Sequence, residues 1–273
     1  MTPHPAPHPE NIGLLDDAPG EPPLIRLVDL HKRFGPLVVL DGVDLQVQKG
    51  KTLVVLGASG SGKSVMLKHM VGLLRPDRGE VHFGDTRVDT LGEADLVPIR
   101  KKFGYLFQQG ALFDSLTNLE NVAFPLKQHT KLDNDAIVAK SQRALTLVGL
   151  PQVGPKMPSE VSGGQRKRVA LARSIVLEPE AILYDEPTTG LDPIRSDVIN
   201  ELVLKLQREL SITSIVVTHD MHSALKVGDR IVMLHKGKMI FDGTPDEVRH
   251  TDNDIVHRFV EGIADEEELA ALR

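Results

Sequence analysis

TLVVLGASGSGKSVMLKHMVGLL, residues 52–74, sets an uninterrupted apolar run, a glycine-rich loop and an apolar segment of helical length in immediate succession. Within it GASGSGKS, 57–64, fits the pattern G-x-x-x-x-G-K-[ST] in the strand, loop and helix context that gives the pattern its meaning. Glycines let consecutive backbone N–H groups curl around an anion, and the start of the helix adds partial positive charge. The loop residues Gly57, Ala58, Ser59, Gly60, Ser61, Gly62, Lys63, Ser64 and Val65 are therefore expected to cradle a nucleotide's phosphates. Lys63 would meet the β- and γ-phosphates, and Ser64 would ligate magnesium.

Outward from this stretch the pattern is that of an α/β core. LIRLVDLHKRF from Leu24, then VVLDGVDLQVQKG with apolar alternation at Val43, Leu45 and Val47, reads as an opening sheet that feeds the buried strand at 52–56. The later apolar runs AILY (Ala181 to Tyr184) and SIVV (Ser214 to Val217) are short and separated by helical patterns, as parallel crossovers require. IVMLHKGKMIFDG reads as a hairpin turning at Lys236-Gly237, which adds an antiparallel element. No internal repeat is visible. The strand AILYDEP ends in two acids at the edge where open parallel sheets bind ligands. Alternation sends Asp185 and Glu186 to opposite faces, and Pro187 is expected to hold Glu186 extended, so Asp185 is assigned to magnesium and Glu186 to the attacking water.

Composition bounds the rest. The chain has 273 residues, 41% apolar and 26% charged, near the average of globular proteins. It lacks the roughly 18 to 20 consecutive apolar residues of a membrane crossing. With no cysteine, disulfides, thiolate metal sites and a cysteine nucleophile are excluded. The start MTPHPAPHPENIG has neither the basic nor the apolar region of a signal peptide, so a cytoplasmic protein is expected. The 32 Lys and Arg against 38 Asp and Glu give a net charge of −6, concentrated at the ends: residues 1–23 carry four acids and no Lys or Arg, and 252–273 carry seven acids and two bases. A near-neutral body gives no reason to expect nucleic acid as a partner. Seven of the 18 prolines fall in residues 1–23, which reads as an extended tail whose His4 and His8 lack the helix that would pair them on a metal.

VSGGQRKRVALAR, Val161 to Arg173, is the most diagnostic segment. Ser162 and Gln165 form an S-x-x-Q capping box that opens a helix with Val169, Ala172 and Val176 on one face. The box leaves unexplained the helix-weakening pair Gly163-Gly164 and the bases Arg166, Lys167 and Arg168, whose charge opposes the helix dipole. A glycine-lined helix start amid positive charge suits an anion. Here the chain resembles the ATP-binding-cassette (ABC) ATPases, whose signature is LSGGQ, with Val161 in place of Leu. The resemblance spans about residues 24–250 and implies a P-loop NTPase ABC-ATPase fold: a RecA-like core, an antiparallel β subdomain, and a helical subdomain inserted at about 113–165.

It also implies roles. In GYLFQQGALF the spacing Q-x-x-x-L-F selects Gln108 over Gln109 as the glutamine that contacts magnesium and water and senses the membrane partner. TTGLDP aligns Asp192 with the loop facing a second subunit; Asp192-Pro193 also reads as an N-cap and first-turn pair opening a helix striped by Ile194, Val198, Leu202 and Leu206. His219 in THD matches a histidine near the γ-phosphate, and Phe34 the aromatic that stacks on adenine, with strand packing its competing role. Signature residues Ser162, Gly163, Gly164 and Gln165 would serve the nucleotide of the partner chain. No second cassette, zinc cysteines or long heptads are present, which sets aside the translation, repair and chromosome-structure branches.

The implied function is an ATPase that dimerises around two ATP and Mg2+ ions on the cytoplasmic face of the membrane and drives integral permease subunits. LFDSLTNLENVAFPL and YDEPTTGLDPI look most like the ATPases of Mla/Mce-type phospholipid transport systems, which brings in an MCE-type lipid-binding subunit and a small regulatory protein as partners. The alternative cargo is a small polar solute of amino-acid type. The alternative class is a nucleotide switch without turnover, against which Glu186 speaks, since a switch can dispense with a base. Residues 251–273 form a C-terminal extension in which Ile255, Val256, Phe259, Val260 and Ile263 make a helical stripe. A further short helix with Leu269 and Leu272 is expected to dock residues 264–273 on a neighbour.

Overall fold

The apolar run 52–56 forms a strand buried along its whole length, and the rest of the fold is arranged on its two faces. The computed structural model describes residues 22–264. In chain order the first half holds strands β1 (Ile25–Phe34), β2 (Leu37–Val47) and β3 (Thr52–Leu56), helix α1 (Lys63–Met70), strands β4 (Arg78–Phe83) and β5 (Thr86–Arg87), helix α2 (Glu93–Arg100), strand β6 (Phe103–Leu106), and helices α3 (Asn118–His129) and α4 (Asn134–Leu147). The second half holds helix α5 (Gly163–Ile175), strand β7 (Ala181–Asp185), helix α6 (Pro193–Leu210), strand β8 (Thr213–Thr218), helix α7 (Met221–Val227), strands β9 (Arg230–His235) and β10 (Lys238–Gly243), and helices α8 (Pro245–Arg249) and α9 (Asp254–Glu261).

The strands form a six-stranded sheet in the order β10-β9-β3-β8-β7-β6 and a four-stranded sheet in the order β2-β1-β4-β5. In the first, β9, β3, β8, β7 and β6 run parallel, and β10 joins antiparallel through the hairpin at Lys236-Gly237. The second is wholly antiparallel. Alternation along β3 builds two cores: Val54 and Leu56 pack with Val169 of α5, Leu206 of α6 and Ala224 of α7, whereas Leu53 and Val55 pack with Met66 and Leu67 of α1 and with Leu30 and Leu45 of the antiparallel sheet. Helix α1 is thus held against both sheets, with each fully buried aliphatic side chain contributing about 1.5 to 3 kcal/mol.

Between β6 and β7 the chain inserts α3 and α4 before α5, and α3 starts in a capping box of Thr117 and Glu120. Buried Asn121 fixes the preceding loop: its amide donates to the carbonyls of Phe113, Leu116 and Thr117 and accepts from the Phe113 N–H. Strand β2 also crosses under two turns. The Asp41 N–H donates to the Gly237 carbonyl at 2.9 Å, and a Cβ at Gly237 or at Gly62 would lie 2.8 or 2.7 Å from the Val39 carbonyl oxygen.

Three local expectations change. Glu186 is not extended: β7 ends at Asp185 and Glu186 has φ +52°, because the chain must turn out of the sheet there while its N–H still donates to the Val217 carbonyl at 2.9 Å. In α6, Leu202 and Leu206 are buried, but Ile194 is 80% and Val198 40% exposed. Steps of four residues drift by about 40° each on a helix of 3.6 residues per turn. The buried face is Ile199, Leu202, Val203 and Leu206 instead. In α9, Val256 is buried and Phe259 and Val260 pack on the core, whereas Ile255 and Ile263 at the ends of the stripe are exposed. The expected contacts of Leu269 and Leu272, like most of the proline-rich tail, lie outside the described residues. Among the described residues no helix is long and apolar enough to cross a membrane.

Candidate active site

Because β3, β6, β7 and β8 run parallel, the loops leaving them open at one edge of the sheet. β3 delivers the loop 57–62, β7 the two acids, β8 His219, and β6 the segment with Gln108. They border a cavity of about 410 Å³ lined by Phe34, Val39, Ser59, Gly60, Gly62, Lys63, Ser64, Val65, Gln108, Glu186 and His219, with Asp185 behind the wall and held to the lining residue Ser64. Gln108 is among its walls, whereas Gln109, Gly57, Ala58, Ser61 and Asp185 are not.

The loop is tight. Gly62 caps α1 in the left-handed region with φ 107°, close enough to β2 that a side chain would strike the Val39 carbonyl. Lys63 is 6% exposed and donates to the carbonyls of Gly57 at 2.6 Å and Ala58 at 2.9 Å. Burial pulls its pKa down, and the carboxylates of Glu186 and Asp185 pull it back up. The buried Ser61 hydroxyl has no hydrogen-bond partner, so the cradle holds a polar group unsatisfied by the protein itself.

The two acids take different partners. Asp185 accepts from the Ser64 hydroxyl at 3.0 Å and from the Tyr105 hydroxyl at 3.3 Å. Burial, reinforced by the Asp185 charge, pushes the Tyr105 phenol far above its ordinary value and keeps it a donor. Glu186 lies 4.0 Å from the Lys63 ammonium, 2.8 Å from His219 Nδ1, and accepts from the Thr189 hydroxyl at 3.1 Å. The two side chains have different partners, and the left-handed turn at Glu186, not strand alternation, separates them. Tyr105 and Thr189 were missed by sequence reasoning: FGYL is too short to show a period, and Thr189 follows the acids in a turn where any polar residue is ordinary.

Phe34 ends β1 at the rim of the cavity, 46% exposed, with the Lys32 ammonium 5.5 Å from its ring centre. Strand packing therefore does not account for it. Ser162, Gly163, Gly164, Gln165 and Asp192 are not among the cavity's walls. Ser162 and Gln165 form the reciprocal capping box that opens α5, and Asp192 caps α6 by accepting from the Arg195 N–H at 3.0 Å. Of the three bases only Arg166 stays exposed at the signature, donating to the Val161 carbonyl; Arg168 donates to that of Val148, and Lys167, 8% exposed, to those of Pro187 and Thr189. Lys167 ties α5 to the turn after β7, because a buried cation must be matched by acceptors.

Comparison with known proteins agrees with this geometry. Residues 40–189 match the family described as ABC transporter. The chain is 40% identical over 242 residues to the intermembrane phospholipid transport system ATP-binding protein MlaF of Haemophilus influenzae, covering 89% of this chain and 92% of that protein. It is also 40% identical over 238 residues to the probable ribonucleotide transport ATP-binding protein mkl of Mycobacterium leprae, covering 87% of this chain and 69% of that one. Among solved structures it resembles the ATP-binding cassette MJ0796 in a dimeric post-hydrolysis state bound to ADP and Pi, with a TM-score of 0.75 at 33% identity over 81% of this chain and 98% of that one. With a family match over more than half of its length and relatives 40% identical along most of it, the chain belongs to the ABC transporter family, in which it is an ATP-hydrolysing subunit.

Proposed function

We propose that two copies of this chain close head to tail around two ATP molecules and power a permease that moves phospholipid. The observation that carries this reading is the divergence of the two acids beside the phosphate loop, with Asp185 on Ser64 and Glu186 on His219 and near Lys63. Ser64, Asp185 and Gln108 would hold magnesium, and their all-oxygen donor set suits that ion, which would neutralise phosphate charge. Lys63 would exchange its loop carbonyls for the β- and γ-phosphates, and the amides of 57–65 would hold the remaining oxygens. Glu186 would take a proton from the attacking water, its carboxylate held by His219 and Thr189. Phe34 would stack on the adenine. Ser162, Gly163, Gly164, Gln165 and Asp192, which do not line the chain's own cavity, would close the partner's.

A groove lined by Phe103, Phe107, Phe113, Phe124, Pro125 and Arg173 lies beside the Gln108 segment, with Phe107, Phe113 and Phe124 exposed. Exposed aromatic surface of this kind suits a permease helix, and docking there would seat the chain at the cytoplasmic face of the membrane. Phospholipid as cargo is supported by the Haemophilus relative's name; the mycobacterial relative, equally similar, favours a ribonucleotide as the second reading. An MCE-type subunit and a small regulatory protein would complete the assembly, with residues 264–273 contributing to it. The test is Lys63→Ala, which should abolish magnesium-dependent phosphate release; normal turnover would refute the assignment. Phosphorus analysis of lipid co-purifying with the permease complex decides the cargo.

A further inference from the structure

Lys167 stands in the second turn of α5, about 7.5 Å along the helix axis from Ser162 at 1.5 Å per residue. Its ammonium is buried and grips the carbonyls on either side of Thr188, those of Pro187 at 2.8 Å and Thr189 at 2.5 Å. The same turn returns to the base, for the Thr189 hydroxyl donates to Glu186 Oε2 at 3.1 Å and the Thr189 N–H to the Glu186 carbonyl at 3.3 Å. On the other side of the turn, Gly164 leaves the Arg195 side chain of α6 within 3.5 Å of where a Cβ would stand. A chain of hydrogen bonds therefore joins α5 through the 187–189 turn to Glu186. Burial lowers the Lys167 pKa and the Glu186 charge raises it, so the ammonium and the base are also coupled electrostatically.

In the proposed dimer, on which this inference rests, the start of α5 closes on the partner's nucleotide while Glu186 serves the chain's own. We propose that Lys167 is a positioning residue that transmits closure of the partner's site to Glu186 of its own, through its hydrogen bonds to the 187–189 turn. Site-to-site coupling then has a physical carrier: a rigid unit with an open and a closed position that both nucleotides bias.

The experiment is steady-state phosphate release against ATP concentration for the full chain, wild type and Lys167→Met, with a fluorescent ATP analogue reporting binding. Wild type should show a Hill coefficient approaching about 2, the limit for two sites, and Lys167→Met a coefficient near 1 with kcat down by about tenfold. Affinity for the analogue should stay within about twofold, since Lys167 does not line the cavity. Because Lys167→Met leaves two carbonyls unmatched, Thr189→Val provides the independent arm: it spares the ammonium, removes only the link to Glu186, and should reproduce the loss of cooperativity. The double variant should lose no more than either single one. A folded Lys167→Met or Thr189→Val chain with wild-type kcat and Hill coefficient overturns the proposal, even if its Tm falls. Non-cooperative wild-type hydrolysis overturns it too, whereas a wild type that releases no phosphate overturns the ATPase reading beneath it.

Discussion

Glu186→Gln isolates the base at almost constant shape. The amide cannot accept the proton of the attacking water, and loss of a positioned general base costs about 10² to 10⁴ in rate, or roughly 2.7 to 5.4 kcal/mol at 1.36 kcal/mol per decade. The substitution also removes a charge 4.0 Å from Lys63, in a pair whose side chains are 6% and 13% exposed. At an effective dielectric of about 20 that attraction is at most about 4 kcal/mol. Without nucleotide, Lys63 loses its nearest anion and the chain should melt earlier. With ATP the phosphates replace that anion, and a carboxylate that would have repelled them is gone, so the stabilisation conferred by ATP should exceed that of wild type. Phosphate release measures the first effect, thermal melting with and without ATP the second, and size-exclusion chromatography the nucleotide-trapped dimer that should accumulate. Turnover at the wild-type rate would mean that another group is the base. An ATP-induced Tm shift smaller than that of wild type would refute the electrostatic part.

Ser162→Arg should abolish turnover and spare ATP binding to the same chain; mixed with Lys63→Ala it should recover one working site per heterodimer, and equal loss of monomer binding in both variants would defeat the shared-site reading. His69, 1% exposed, bonds the Val65 carbonyl through Nδ1 and is pushed below 6.5 chiefly by burial. The unfolded chain therefore binds the proton first, and stability should fall as pH drops below about 6.5; His69→Gln should flatten that dependence in urea titrations at successive pH values. Deleting 264–273 should leave the monomer Tm nearly unchanged and weaken assembly with the permease, read by co-purification; normal assembly would exclude the role given to that segment.

The parallel strands could be read in advance because AILY and SIVV are buried on both faces and so carry unbroken apolar runs. The phosphate loop was readable because its chemistry is local: donors, glycines and lysine lie within 57–64. Lys167 was misjudged for the opposite reason. Its partners, the carbonyls of Pro187 and Thr189, are 20 and 22 residues away, and a run of bases looks the same whether it faces solvent or is buried against acceptors. Glu186 failed through a conflict of local rules, since alternation and Pro187 both argue for extended backbone and the exit from the sheet overrode them. The stripe on α6 failed by helical drift, and two of its four apolar residues came out exposed.

The Val39 carbonyl, against which both Gly62 and Gly237 press, has a consequence for how this protein tolerates variation. Gly62 belongs to the nucleotide loop, and intolerance there would be credited to chemistry. Gly237 sits in the β9–β10 hairpin outside the cavity's walls, yet a Cβ there would lie 2.8 Å from the Val39 carbonyl oxygen, so the hairpin or β2 would have to shift. A saturation scan scored by transport should therefore rank 237 with the nucleotide-binding positions, and a survey of natural variants would mistake it for part of the site. Its constraint is inherited from a neighbour's geometry, and a matching scan scored by folded abundance would reveal the difference.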